Sequence, residues 1–137
     1  MPSLTVGKVA KASGLNIETI RYYEKEGLID TPSRSEGNFR LYDHTALSRL
    51  QFIRRCRTLD ITLAEIHQLL DLQQTPSESC DQVSDMVDKH ISEVQHKIEE
   101  LGTLEEELQN LRAKCHDDTI VDECGIMEDL TVPDHNA

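Results

Sequence analysis

The stretch Thr5-Val-Gly-Lys-Val-Ala-Lys-Ala-Ser-Gly14-Leu15-Asn16-Ile-Glu-Thr-Ile20-Arg21-Tyr22-Tyr-Glu-Lys-Glu26-Gly27-Leu28 decides the fold. Thr5 to Ala12 reads as a short helix that turns Val6, Val9 and Ala10 inward. Ser13-Gly14-Leu15 is a turn. Asn16 then has the character of an N-cap, with Glu18 in the first turn and Gly27 a stop just beyond Glu26. Two short helices joined by a glycine-containing three-residue turn make a helix-turn-helix.

Working outward, residues 30–42 combine Pro32 and a Gly37-Asn38 turn with an extended run from Phe39 to Tyr42. That pattern suits a small hairpin, or wing, carrying Arg34 and Arg40. A helix follows from His44 to Thr58, with Leu47, Leu50, Phe52 and Ile53 apolar. Thr62-Leu-Ala-Glu65 is a capping box opening a further helix to about Leu72. Gln73 to Ser79, with Pro76, is a hinge.

From Cys80 to about Lys114 there is no proline, and Gly102 is the single weak helix former. Val87, Val94, Leu101 and Leu108 recur every seven residues, joined by Ile91, Ile98, Leu104 and Leu111. A narrow heptad stripe of this kind cannot bury itself on one helix and calls for a second copy of the chain. After Lys114 the helix breaks into a Cys115–Cys124 loop, a short apolar turn Gly125–Leu130 and a tail, Pro133–Ala137, expected to fray. The expected fold is therefore all-α dominated. It comprises a winged helix-turn-helix head (1–74), a hinge and antiparallel coiled-coil dimerisation helix (75–114) and a metal-binding loop, short helix and tail (115–137).

The net charge of −12 is unevenly placed. Residues 1–74 hold ten Lys+Arg against nine Asp+Glu, whereas residues 75–137 hold four against seventeen. Seven of the arginines lie between Arg21 and Arg57, so the first part suits a duplex and the second attracts cations. No apolar run reaches a membrane span of roughly 18 residues, and the start shows no secretory signal. The location expected is cytoplasmic, with the four cysteines reduced. No nucleophile–base pair or phosphate loop points to an enzyme.

Cys80, Cys115 and Cys124 lie at helix ends or in a polar loop, where thiolates select soft or borderline ions such as Cd(II), Pb(II), Hg(II) or Zn(II). Cys80 is placed at the first turn of the long helix, beside the positive end of its dipole. Thirty-five residues at roughly 1.5 Å each separate it from Cys115 by about 50 Å, so one chain cannot unite them. In an antiparallel dimer, Cys80 of one subunit meets Cys115 and Cys124 of the other, giving two sites. His116 and His90 are secondary donor candidates; Cys56, within a head helix, reads as packing. A metal-buffering thiol protein is the alternative to a regulator.

Thr5–Gly14 with Ile20-Arg-Tyr-Tyr-Glu-Lys-Glu-Gly-Leu28, and Arg34-Ser-Glu-Gly-Asn-Phe-Arg-Leu-Tyr42, resemble the head and wing of the MerR family. Arg57-Thr-Leu-Asp-Ile-Thr-Leu63 and Ser79–Ile91 are most similar to its cadmium- and lead-responsive branch; mercury and then zinc follow. The resemblance implies that helix 16–26 enters the major groove with Thr19, Arg21 and Tyr22 near bases or phosphates. It also implies that Arg34, Arg40, Tyr42 and Arg57 touch the backbone. It implies a homodimer on double-stranded promoter DNA that distorts the duplex when metal binds, realigning the elements that RNA polymerase reads and activating a metal-resistance promoter.

Overall fold

The computed structural model describes residues 3–132. The tail 133–137, including His135, lies outside the described residues. The chain divides into two compact units at the Cys80–Asp81 boundary.

In the first unit, β1 (Leu4–Thr5) leads into α1 (Val6–Ser13) and α2 (Ile17–Lys25); β2 (Ser33–Arg34) and β3 (Arg40–Tyr42) form the wing; α3 (His44–Thr58) and α4 (Leu63–Gln73) complete it. Each helix start is written in the local sequence. Thr5, Asn16, Asp43 and Thr62 are extended N-caps whose side chains accept the backbone N–H of Lys8, Thr19, Ala46 and Glu65. Thr62 and Glu65 form the full reciprocal capping box.

The ends of α1 and α2 are set by glycine. Gly14 takes φ 74° to close α1, and a Cβ there would stand 2.9 Å from the Arg54 guanidinium carbon on α3. Gly27 takes φ 78°, and the Leu28 N–H returns to the Tyr23 carbonyl at 2.9 Å, turning Leu28 into the core.

The sheet is antiparallel in the order β1-β3-β2. β3 pairs Tyr42 with Leu4 and Arg40 with Arg34. β1, two residues long, is not legible as a strand and exists through its pairing with β3. Val9, Ile20, Tyr23, Leu28, Ile29, Tyr42, Leu50, Ile53, Cys56, Ile66 and Leu70 make one core joining α1, α2, the wing, α3 and α4. Cys56 is 6% exposed and its burial raises the thiol pKa, in keeping with packing.

In the second unit, α5 (Asp81–Arg112) runs unbroken for 32 residues, about 48 Å at 1.5 Å per residue. Cys80 immediately precedes this helix instead of lying in its first turn. Val87, Ile91, Val94, Ile98, Leu101, Leu104 and Leu108 are all about half exposed or more, and no residue of α5 is buried. A 3-10 turn (Val121–Glu123) and α6 (Gly125–Thr131) follow. The apolar segment after Cys124 is thus a short helix.

Candidate nucleic-acid interface and metal centre

α2 turns Ile20 and Tyr23 inward and leaves Arg21 and Tyr22 exposed, Tyr22 by 47%. Thr19 is half-buried and its N–H donates to Asn16 Oδ1 at 2.7 Å. In the wing, Arg34 is exposed and donates from Nη1 to the Asn38 carbonyl at 3.2 Å, bracing a tip in which Asn38 adopts φ 65°. Arg57 is exposed at the end of α3 and donates to the Ile61 carbonyl at 3.0 Å. Arginines anchored in this way keep their charge at a defined place on the surface.

Tyr42 corrects a sequence expectation. It is 1% exposed, and its hydroxyl is buried, so it packs in the core instead of reaching a phosphate. Alternation along a three-residue strand leaves Arg40 and Tyr42 on one side, and the core claims the aromatic one. Burial, then the Glu24 carboxylate, raises its pKa.

The thiols meet at the far end of α5. Cys124 Sγ and Cys115 Sγ are 3.2 Å apart. The chain is folded back here by several restraints. Arg112 donates to the Cys115 carbonyl at 3.0 Å and pairs with Asp117, and Lys114 pairs with Asp129. Gly125 sits so close to the Lys114 backbone that a Cβ would lie 2.1 Å from the carbonyl oxygen. The backbone N–H of Met127, then the Cys115 thiol, hold the Cys124 thiol below its ordinary pKa, while hydrogen bonding to Cys124 raises that of Cys115. Of the two thiols, Cys124 therefore gives up its proton the more readily.

Among the described residues, no three His, Cys, Asp or Glu side chains of one chain gather to hold an ion. His116 is exposed, and His90 lies along α5 with Nδ1 3.7 Å from Glu93 Oε2. Cys80 is exposed at the start of the 48 Å helix, whereas the pair follows its end. The pair nevertheless suits a soft ion: two thiolates each ~2.3 Å from a tetrahedral zinc stand ~3.8 Å apart, a small opening of the gap found. Sequence reading missed Glu24, which approaches Arg40 across α2 and β3, and Gly125, whose role depends on a neighbour eleven residues away.

A helix-turn-helix with an arginine-bearing wing, followed by a long apolar-striped helix, defines a winged helix-turn-helix regulator. Residues 4–73 match the MerR HTH family regulatory proteins and residues 47–111 the MerR DNA-binding family. The chain is 47% identical over 111 residues to the ZntR homolog, an HTH-type transcriptional regulator, of Haemophilus influenzae, covering 81% of this chain and 82% of that one. It is 38% identical over 125 residues to the mercuric resistance operon regulatory protein of Bacillus cereus, covering 91% and 95%. Among solved structures, the transcription regulator PbrR691 from Ralstonia metallidurans CH34 in complex with lead(II) superposes with a TM-score of 0.82 at 48% identity, covering 93% of this chain and 99% of that one. The chain belongs to the MerR family, and it is a transcription regulator, not an enzyme.

Proposed function

We propose that this chain is a metal-responsive regulator that binds promoter DNA as a homodimer and senses Cd(II) or Pb(II) through Cys80 of one subunit with Cys115 and Cys124 of the other. The carrying observation is the Cys115–Cys124 pair, two sulfurs 3.2 Å apart in a braced loop. The likeness to a lead(II)-bound regulator at 48% identity supports it. The exposed stripe of α5 supplies the second copy: packing two such helices antiparallel removes the apolar surface from water and brings each helix start to the other's end.

The division of labour follows residues 1–74 for DNA, 75–114 for dimerisation and 115–137 for metal. Thr19, Arg21, Tyr22, Arg34, Arg40 and Arg57 contact DNA. Bound metal supplies a soft Lewis acid that ties three thiolates together across two chains. Because the ligands belong to different subunits, their closure changes the relation between the two heads. The heads in turn bend and untwist the promoter, so that RNA polymerase finds its elements aligned; such regulation takes place in the cytoplasm.

Mercury is the second reading, favoured by the 38% identity to a mercuric resistance regulator over most of both chains. Zinc follows, as the borderline ion that thiolates also hold. The test is competitive titration of the reduced dimer with Cd, Pb, Hg and Zn, followed by thiolate-to-metal absorption, alongside footprinting with and without metal. Sequence-selective footprints whose distortion changes with metal are expected. Binding of metal with no selective footprint favours a buffering protein and overturns the reading.

A further inference from the structure

Glu24 is a carboxylate in the last turn of α2, the helix read as facing DNA, where its charge opposes phosphate. Its side chain is 10% exposed, and Oε2 stands 3.3 Å from Nε of Arg40, the first residue of β3. Arg40 is 28% exposed and pairs across the wing with Arg34. Glu24 Oε2, Arg40 Nε and Tyr42 Oη are buried atoms without a hydrogen-bond partner in the described structure, so the Glu24–Arg40 contact is an ion pair short of hydrogen-bond alignment. Burying a carboxylate costs free energy unless a positive group answers it, and keeping it on a DNA-binding helix adds repulsion from phosphate.

A planar guanidinium held along its Nε edge has its two outer nitrogens directed as a fork. We propose that Glu24 is a positioning residue for DNA binding: it holds the Nε edge of Arg40, so that the wing presents the outer nitrogens to a backbone phosphate at a set angle to α2. Tyr42 lies beside them with its ring in the core, so the strut has a rigid floor. The inference rests on the reading of this head as the DNA-binding face.

The sign of one substitution separates positioning from mere charge. Glu24→Gln nearly preserves shape and removes one negative charge. A spectator carboxylate, once neutralised, leaves DNA bound more tightly. A positioning carboxylate leaves it bound about tenfold more weakly, the order of one lost arginine–phosphate contact. The experiment uses the full-length dimer and a duplex selected by the wild-type protein from a randomised pool, with affinity measured across a salt series.

Glu24→Gln is expected to weaken binding and to lower the salt slope by about one. In an Arg40→Lys background, which keeps the charge and loses the fork, the same change is expected to have no weakening effect. Thermal melting of each variant fixes a temperature at which all are folded. Equal or tighter binding by Glu24→Gln, or the same weakening in the Arg40→Lys background, overturns the inference while leaving the DNA-binding reading intact. If wild-type protein selects no duplex, the DNA-binding reading itself fails, and the inference with it.

Discussion

Cys115 Sγ and Cys124 Sγ lie 3.2 Å apart, nine positions apart in sequence, within a loop closed by Gly125 against the Lys114 backbone. Two thiols at this separation can offer two donors to one ion without help from another subunit. Under the function proposed above, the third donor is Cys80 of the other subunit.

The inter-subunit arrangement is tested by complementation. Cys80→Ser and Cys115→Ser homodimers are each expected to lose metal-induced transcription while still binding DNA. A heterodimer of the two variants regains one complete site, because one chain supplies Cys80 and the other supplies Cys115 with Cys124. Metal titration of purified heterodimer should return one ion per dimer, against two for wild type. A heterodimer that binds none excludes the shared site.

Gly125→Ala probes the loop. A methyl group 2.1 Å from the Lys114 carbonyl oxygen forces α6 away from the end of α5, carrying Cys124 from Cys115. Metal affinity should fall tenfold or more, about 1.4 kcal/mol, with duplex binding unchanged, as read by thiolate-to-metal absorption and gel shift.

The same proximity predicts a disulfide. A sulfur–sulfur bond needs the atoms at ~2.05 Å, a shift of about 1 Å. Diamide, which accepts two electrons and two protons, should convert Cys115 and Cys124 into an intrachain disulfide, lowering the mass of the chain by two hydrogens. Buried Cys56 should remain a thiol. Prior loading with cadmium should block the reaction. Peptide mapping that finds Cys56 linked, or Cys115 and Cys124 both unmodified, counts against the observed geometry.

Leu101→Asp addresses the stripe on α5. Leu101 is 64% exposed in the single chain, so the substitution should leave the folded chain intact. In a dimer it places a carboxylate in an apolar seam, at a cost of several kcal/mol. Sedimentation should show a dimer weakened a hundredfold or more, with metal capture lost alongside. An unaltered dimer would place the interface elsewhere.

Tyr42→Phe tests the corrected role of that residue. Removing a buried hydroxyl that has no hydrogen-bond partner while keeping the ring should change stability by less than about 1 kcal/mol in either direction. Duplex affinity should stay within threefold. A larger loss of affinity would restore the hydroxyl as a phosphate contact.

How much of this was legible in the chain follows the range of the forces involved. The start of α2 at Asn16, the Thr62–Glu65 capping box and the stop at Gly27 are interactions over three to five residues, so the residues that make them are neighbours in the text. The heptad stripe is likewise periodic along one helix, and its need for a partner follows from the period. Sequence spacing alone also selected Cys115 and Cys124 as a pair. Tertiary structure decided the rest: that Tyr42 fills the core while Arg40 remains accessible, that Glu24 reaches the wing, that Leu4 and Thr5 make a strand, and that Gly125 is pressed against Lys114. Each of these depends on which face of one element meets another. Because burial and ion pairing depend on distances in space, the same residues in the same order acquire those roles only once the core has closed.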